Sequence, residues 1–530
     1  MKKKEQEHTT KMLEQNLQQA IILKNAGIYD AALWNIKKIF NSRPDLLTSS
    51  EVWASIFNSP SFFSRKTEDQ KYFNYAHELM KALTNCLKLL DVKEAISVAT
   101  GFVEGAIFRH TTHNQESLKS LMAMRAEVFD FALKNEVITR DFDLFCEPSK
   151  RQKIRFGIIL KHLHFDPEIM SMAPFFDGLK GDQFEVFLIL LSQSGSPQCS
   201  SYFKGAIDRE ILLPTDLESA VTAVRTLDLD ILLFGNDISA KSSLMAKMSF
   251  FRLARKSAIC VSTIATVASP YVDYYLGCQG HLDRGFDSEF HEQFCVVNAP
   301  GYAFWCPEIV NIENTFSREK LGLSDSTVLF VSGANQTKLH TDLLHVWSEI
   351  LHRVPNSSLL LYPFPPHYGP ERQQRVSSIF RDFNAVGISS DRIIILNALP
   401  GRELVLDLLK KMDVGLDSFP YPGVTTMAEA VLAGLPTVTR QGPVLRSDQG
   451  AAILKSIGVE ELITGSIEDY VNTAVHLATD KKMRSELRAK LQSAYLPFFD
   501  SAGFSQSAFA AYREIYRDIG MTLLSRNDDD

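Results

Sequence analysis

The chain has 530 residues, of which 45% are apolar and 22% are charged, and its formal net charge at pH 7 is −7. This composition is typical of a folded globular protein with about two to four domains, and the negative charge argues against a dedicated nucleic-acid-binding protein. The seven cysteines stand singly, without a Cys-x-x-Cys pair, which indicates free thiols in a reducing compartment and no zinc site. No apolar run is long enough to span a membrane or to form a signal peptide core, so we expect a cytoplasmic protein that is not an integral membrane protein.

Residues 1–150 are predicted to form an all-helical domain, because helical periodicity dominates there and Gly and Pro are sparse. Within it, residues 17–45 have the spacing of a tetratricopeptide-like helical hairpin. Gly27 makes the turn, Ala32 permits close helix contact and Pro44 ends the second helix. Because one hairpin cannot stack into a superhelix, a small helical domain is favoured over a tandem array. The domain either caps the rest of the chain or docks a protein, and the sequence favours neither role.

Beyond Pro148–Lys150, strands alternate with helices, which predicts an α/β fold with two doubly wound, Rossmann-like domains. The first is expected over residues 151–312 and the second over residues 313–530, with a linker near Glu308–Lys320. The strands predicted for the first domain are Ile154–Leu160, Phe184–Ser192, Leu229–Phe234, Ala258–Thr263, Val272–Leu276 and Phe294–Asn298. Those predicted for the second are Thr327–Ser332, Ser358–Tyr362, Arg392–Leu396, Val414–Asp417 and Thr437–Thr439.

The segment Met412–Gly442 carries the strongest chemical signal. It predicts a strand, a Pro- and Gly-containing turn, a helix over Met427–Ala433 capped by Thr425 or Thr426, and another strand. The start of that helix offers free backbone N–H groups and a positive dipole end, both suited to a phosphate. Glu429 lies one turn into the helix, where it can accept hydrogen bonds from a ribose. A diphosphate-linked nucleotide fits this chemistry, and a packing turn between strand and helix is the alternative.

Two further loops follow predicted strands. Ser332–Lys338 combines small residues with Lys338, whose charge can neutralise a leaving phosphate, although a lysine at a helix entrance is usually solvated. Lys161–Pro167 concentrates His162, His164 and Asp166 after the first strand of the first domain. Metal ligation there lacks a third distant ligand, so proton handling or acceptor orientation is the favoured function.

The segment Met412–Gly442 also resembles the nucleotide-sugar site of glycosyltransferase family 41, the family of the protein O-GlcNAc transferases and the adhesin-modifying N-glucosyltransferases. The resemblance rests on D-V-x-L-D at Asp413–Asp417, G-x-T-T at Gly423–Thr426, the acidic Glu429 and A-G-x-P-x-V-T at Ala433–Thr439. It extends with gaps over roughly residues 153–499 and implies the GT-B fold, with the donor nucleotide on the C-terminal domain. The donor contacts expected are Gln336, Lys338, Leu399, Pro400, Gly423, Val424, Thr425, Thr426 and Glu429.

The chain departs from the family pattern at three positions. Asp166 stands where the transferases carry a His before Pro, Val424 stands where O-GlcNAc transferases carry a His before the paired threonines, and Asp448 stands where many relatives have Arg. Arg440 and Arg446 lie close enough in sequence to compensate at the diphosphate. The catalytic candidates are Lys338, His162, His164 and Asp166, with the base unassigned.

The resemblance implies an inverting glycosyltransferase that moves a sugar, GlcNAc or else glucose, from a UDP-sugar to protein Ser, Thr or Asn side chains. No Asp-x-Asp motif stands at the carboxyl end of a predicted strand, so no metal is expected and protein groups are expected to meet the leaving-group charge. The expected partners are a nucleotide sugar and a protein acceptor, with a partner subunit left open and no nucleic acid. The alternatives are a transferase for a glycan or lipid-linked acceptor and a degenerate, non-catalytic binding subunit.

Overall fold

The computed structural model describes residues 2–144, 152–164, 166–181, 183–297, 300–301, 303–304, 316–319, 322–364 and 369–519. Its N-terminal part is all-helical within these ranges, and the predicted hairpin is present as helices α1 and α2. Gly27, with φ +73°, lies in the turn between them, and Ala32 is fully buried. The helices of this part are α1 (Lys2–Asn25), α2 (Tyr29–Ser42), α3 (Ser50–Phe57), α4 (Glu68–Leu89), α5 (Val92–Gly105) and α6 (Lys119–Ala132).

A parallel seven-stranded sheet follows, with strand order β3-β2-β1-β4-β5-β6-β7. Its strands are β1 (Ile154–Leu160), β2 (Phe184–Leu190), β3 (Arg209–Leu212), β4 (Leu229–Phe234), β5 (Ala254–Cys260), β6 (Tyr274–Cys278) and β7 (Gln293–Val297). The helices between them are α7 (Pro167–Met172), α8 (Pro197–Ala206), α9 (Leu217–Thr226), α10 (Leu244–Met248) and α11 (Gln279–Asp283). Strands β1, β2 and β4 are buried almost throughout, as parallel strands covered on both faces must be.

The second sheet is also parallel and has the order β10-β9-β8-β11-β12-β13. Its strands are β8 (Val328–Ser332), β9 (Ser357–Leu361), β10 (Ile393–Ile395), β11 (Val414–Leu416), β12 (Thr437–Arg440) and β13 (Ile463–Thr464). Its helices are α12 (Thr341–Arg353), α13 (Gly369–Ala385), α14 (Arg402–Lys410), α15 (Thr425–Leu432), α16 (Leu445–Ser456), α17 (Ile467–Thr479) and α18 (Lys481–Ser493). The last helix, α19 (Ser501–Asp518), returns to the first sheet, where the Tyr512 hydroxyl donates to the Phe175 carbonyl at 2.8 Å.

The two sheets confirm the predicted α/β class, and the helical part shares one continuous apolar core with one face of the first sheet. The predicted domain boundaries stay predictions, because residues 145–151 and most of the predicted linker Glu308–Lys320 lie outside the described residues. No helix in the described ranges is both long and apolar enough to cross a membrane.

Each sheet has one point at which its strand order reverses. In the first sheet this point lies between β1 and β4, and in the second it lies between β8 and β11. Loops diverge on either side of such a point, which leaves a crevice at the carboxyl ends of the strands where α/β proteins bind ligands. The predicted site loops Lys161–Pro167 and Ser332–Lys338 follow β1 and β8, so both lie at these crevices.

Candidate functional site

The crevice of the second sheet holds a cavity of about 430 Å³, which we call the switch-point cavity. Its volume lies within the range of about 300–1,000 Å³ that is usual for ligand pockets. It is formed by the loops after β8, β9, β10 and β11 together with the start of α15. Its lining residues are Pro167, Gly333, Ala334, Asn335, Lys338, Tyr362, Pro363, Ala398, Leu399, Val405, Tyr421, Pro422, Gly423, Val424, Thr425, Thr426, Glu429 and Gln449.

Asp417 organises the turn between β11 and α15. Its Oδ1 accepts hydrogen bonds from the backbone N–H of Ser418 (2.9 Å) and of Gly423 (2.8 Å), and its Oδ2 accepts one from the Thr439 hydroxyl (2.7 Å). Burial raises the pKa of Asp417 to about 6, while these bonds and the Lys338 ammonium act in the opposite direction. This role of Asp417 was not predicted from the sequence, although Asp417 is the acidic residue that ends the D-V-x-L-D motif.

Gly423 is fixed by the same turn. A Cβ at this position would lie 1.9 Å from the Thr426 Oγ1 and 3.3 Å from the Asp417 Oδ1. Because glycine has no Cβ, the backbone at this position can lie close to the helix start and to the cavity.

Helix α15 begins at Thr425, two residues earlier than predicted, and Val424 precedes it without a side-chain cap. The prediction that Thr425 or Thr426 caps the helix is therefore wrong, since both are inside it. Both threonines line the cavity, and the first-turn N–H groups have no carbonyl partner within the helix. The uncapped end therefore leaves these donors available to an anion such as the phosphate predicted from the sequence.

Lys338 lies opposite this helix start. Its Nζ donates to the Pro422 carbonyl at 2.8 Å and stands 4.2 Å from the centre of the Tyr421 ring. Burial lowers the pKa of Lys338 to about 8, and the Asp417 carboxylate opposes that shift. The lysine is thus a desolvated cation that shares the cavity wall with Thr425.

Glu429 is one turn further along α15, with its side chain 12% exposed. Its Oε1 lies 3.5 Å from the Nε of Arg402, which is itself 8% exposed. Burial raises the pKa of Glu429 to about 6, and the Arg402 guanidinium opposes the rise. Leu399 and the buried Tyr362 line the same end of the site, so an apolar surface lies beside a carboxylate.

Two of the predicted donor contacts do not line the cavity. Gln336 belongs to a short 3-10 turn that directs its side chain inward, so it is only 5% exposed. Pro400 is exposed to solvent beyond Leu399. Neither residue therefore reaches the cavity in this conformation.

A second cavity, of about 410 Å³, adjoins the first and is lined by all three parts of the chain; we call it the cleft cavity. The helical part contributes Arg109, Thr112 and His113. The two cavities share Pro167, Asn335, Lys338, Tyr421, Val424, Thr425 and Gln449. Helix α7 and the loops after β4 and β5 supply to the cleft cavity Glu168, Ser171, Asp237, Ala240, Val261, Ser262 and Ile264.

The helical wall of the cleft cavity is fixed by Arg446 of α16. Its guanidinium donates to the carbonyls of Thr112 (3.0 Å), Asn114 (3.0 Å) and Glu116 (2.5 Å). His113, in the same loop, stacks on Tyr421 with ring centres 5.7 Å apart. Arg446 is 2% exposed and faces this loop, so the expectation that it compensates at a diphosphate is wrong. The sequence carried no signal for this contact, which joins residues more than 300 positions apart.

His162, His164 and Asp166 form a separate local group. His162 Nε2 lies 3.7 Å from Asp166 Oδ2, and the two histidine rings are 4.8 Å apart. Asp166 caps α7, since its Oδ1 accepts from the Ile169 N–H at 3.0 Å. None of the three lines either cavity. Among the described residues, no group of three or more His, Cys, Asp or Glu side chains is placed to hold a metal ion.

Two facing Rossmann-type domains with a cavity at the switch point of the second define a protein of the GT-B class. The fold matches that of a Thermobaculum terrenum O-GlcNAc transferase variant with a TM-score of 0.65, over 96% of this chain and 98% of that one at 19% identity. Residues 306–509 match the model of glycosyl transferase family 41. This match confirms the resemblance drawn from the sequence.

Curated relatives align over the same part of the chain. One, from Solanum lycopersicum, is named "Probable UDP-N-acetylglucosamine--peptide N-acetylglucosaminyltransferase SPINDLY" and is 32% identical over 197 residues, which are 37% of this chain and 21% of that protein. Another, the Caenorhabditis elegans UDP-N-acetylglucosamine--peptide N-acetylglucosaminyltransferase, is 32% identical over 187 residues, or 35% of this chain and 16% of that protein. The chain therefore matches about a fifth of the length of these relatives.

Proposed function

We propose that the protein is an inverting, metal-independent glycosyltransferase that moves a sugar from a UDP-sugar to protein side chains. The observation that carries the proposal is the switch-point cavity, where Lys338 and the uncapped start of α15 face the same space. A cation and a set of oriented N–H donors are the groups that a departing nucleoside diphosphate needs when no metal is present.

The remaining walls fit the other parts of such a donor. Glu429 offers carboxylate oxygens to the ribose hydroxyls, and Leu399 and Tyr362 offer apolar surface to the base. The adjoining cleft cavity leaves room for the sugar and the acceptor side chain next to Lys338. The predicted donor contacts Lys338, Leu399, Gly423, Val424, Thr425, Thr426 and Glu429 therefore remain in the proposal.

GlcNAc is the proposed sugar and glucose the alternative, because the names of the two relatives specify UDP-N-acetylglucosamine and a peptide. The same names support a protein acceptor. The cytoplasm is the proposed location, since the cysteines within the described ranges are free and buried, as is usual in a reducing compartment. The catalytic roles predicted for His162, His164 and Asp166 stay predictions.

A donor screen tests the proposal. Melting temperature is measured with UDP-GlcNAc, UDP-glucose, UDP-galactose and GDP-fucose, each at a concentration well above its expected Kd. We expect UDP-GlcNAc to raise the melting temperature most, and the rise to be lost in Lys338→Met. Equal stabilisation of both proteins by a donor would remove the switch-point cavity from the proposal.

A degenerate binding subunit is the second candidate, favoured by Val424 and Asp166 at positions where the transferases carry histidines. It predicts donor binding without turnover. The donor screen and a turnover assay on the same protein separate it from the enzyme.

A further inference from the structure

Asp237 shares a cavity with Lys338 and was not among the residues selected from the sequence. It follows β4, at the switch point of the first sheet, and lines the cleft cavity that also contains Lys338 and Tyr421. The loops at the two switch points therefore border one cavity, to which the first contributes a carboxylate and the second a lysine. Asp237 is half-buried, so part of it is open to the cavity.

One oxygen of Asp237 is held firmly by its own loop. Oδ1 accepts hydrogen bonds from the backbone N–H (2.8 Å) and the hydroxyl (2.6 Å) of Ser239. Within the described part of the chain, Oδ2 accepts no hydrogen bond. A fixed carboxylate with one oxygen available is the arrangement required of a base that must reach an incoming group.

The loop is braced from two further directions. The Asn236 amide donates to Glu168 Oε2 at 2.7 Å, and the Asp237 N–H donates to Glu168 Oε1 at 3.4 Å, which ties the loop after β4 to α7. From the helical part, Arg125 of α6 donates to the Ile238 carbonyl at 3.0 Å, and the Phe108 N–H donates to the Ala240 carbonyl at 2.6 Å. Asp237 is thus positioned by both neighbouring parts of the fold.

The charges around Asp237 come from several elements. Burial is the main cause that raises its pKa, its hydrogen bonds from Ser239 oppose the rise, Glu168 adds to it and Lys161 opposes it. The Arg125 guanidinium acts on it from α6, and the other titratable groups that line the cavity are Arg109, His113, Glu168, Lys338 and Tyr421. A carboxylate with a raised pKa is a stronger base.

We propose that Asp237 is the general base that accepts the proton of the acceptor nucleophile, a role that rests on the proposed transferase function. In that step the acceptor hydroxyl or amide loses its proton to Oδ2 while its oxygen or nitrogen bonds to the sugar C1. The bond from C1 to the diphosphate oxygen breaks, and its electron pair leaves with the diphosphate, whose charge Lys338 meets. The lining of the cleft cavity supports this assignment over the histidines of the loop after β1. Asp237 lines the cavity, whereas His162 and His164 do not.

The test compares Asp237→Asn with a matched control, Asp216→Asn. Asp216 is an exposed carboxylate that caps α9 in the same domain. Transfer from UDP-GlcNAc and from UDP-glucose to a library of Ser-, Thr- and Asn-containing peptides is followed by UDP release and peptide mass. We expect Asp237→Asn to lower kcat/KM by about 10²–10⁴-fold with unchanged UDP affinity, and Asp216→Asn to have no effect.

Two readouts separate a base from a structural carboxylate. Formate should restore part of the activity of Asp237→Ala, because a small carboxylate can take the proton in its place. Glu168→Gln removes a negative neighbour, so the acid limb of the kcat/KM profile should move to lower pH. A failure of formate rescue together with an unmoved acid limb would make Asp237 a structural residue.

The outcomes also separate this role from the proposed function. If the wild type transfers sugar and Asp237→Asn does so at the same rate, the assignment is wrong and the transferase function stands. If His113→Gln loses activity while Asp237→Asn keeps it, His113 is the base, since it lines the same cavity. If the wild type binds UDP yet releases none from either donor, the transferase function fails and Asp237 has no such role.

Discussion

Lys338→Met is the substitution whose effect on the proposed reaction can be worked out most fully. It keeps the length of the side chain and removes the ammonium that donates to the Pro422 carbonyl at 2.8 Å. In the proposed reaction that ammonium meets the charge that develops on the leaving diphosphate. Removing one such donor typically costs about 10²–10³ in kcat, or about 2.7–4 kcal/mol. We expect a loss of that size in UDP release.

The same change should leave the fold nearly as stable as before. One hydrogen bond worth about 1 kcal/mol is lost. Against this, an ammonium whose pKa burial lowers from 10.5 to about 8 is no longer held in a desolvated site. In the wild type, this burial costs stability below pH 8, and the cost is relieved as pH rises from about 8 to 10.5, because the unfolded state binds more protons there.

The pH dependence gives an independent check on Lys338. Because the charged form is required, wild-type kcat/KM should fall as pH rises through about 8, the pKa of the free enzyme's lysine. A guanidinium stays charged throughout that range, so Lys338→Arg should lose this alkaline limb even if its rate is lower.

The assay measures UDP release, UDP affinity by calorimetry and the melting temperature of each variant. Lys490→Met is the matched control, because its Nζ forms an exposed ion pair with Glu461 at 2.6 Å and neither residue lines the two cavities. A well-folded Lys338→Met protein that turns over donor at the wild-type rate would refute the assigned role.

Three further changes test other parts of the site. Glu429→Gln should weaken UDP binding about tenfold, equivalent to about 1.4 kcal/mol, and should also lower the melting temperature because it leaves the buried Arg402 without its ion pair. The double variant Glu429→Gln/Arg402→Met should regain the wild-type melting temperature but not the wild-type affinity for UDP. If it regains both, Glu429 has a structural role only. Gly423→Ala should lower the free energy of unfolding by about 1–3 kcal/mol, because its Cβ would lie 1.9 Å from the Thr426 Oγ1. The double variant Gly423→Ala/Thr426→Ala lacks this clash and should recover stability. If Gly423→Ala alone unfolds in urea at the same concentration as the wild type, the turn accommodates the Cβ and the reasoning is wrong. Excess EDTA should leave turnover unchanged, and activity that returned only with Mn²⁺ or Mg²⁺ would show that the reaction needs a metal.

The strands of both sheets were predictable because most of them are continuous apolar runs. Strand β1 was predicted with its observed bounds and β8 to within one residue. Strand β3 was not predicted, since it is short and mostly exposed at the edge of the sheet and therefore shows no apolar run. Strand β13 has only two residues, too few for any pattern.

The second-sheet half of the site was predictable because its groups are close in sequence. Gly423 lies in the turn before α15, and Thr425 and Glu429 are four residues apart on one face of that helix. The cleft cavity was not predictable in this way. Its helical wall depends on Arg446, which holds the loop at 112–116 from the far end of the chain. Asp237 stands alone in its segment and is significant only because β1 and β4 are neighbours in the sheet.

In the proposed function, the chain transfers sugar from a nucleotide donor bound at the switch-point cavity. The most direct measurement is the mass of peptides from a Ser-, Thr- and Asn-containing library after incubation with UDP-GlcNAc and the purified protein, beside the Lys338→Met protein. We expect peptides heavier by one N-acetylhexosamine with the wild type and none with the variant. Equal modification by both proteins would contradict the assigned site, and no modification with any UDP-sugar by a protein that binds UDP would contradict the activity itself.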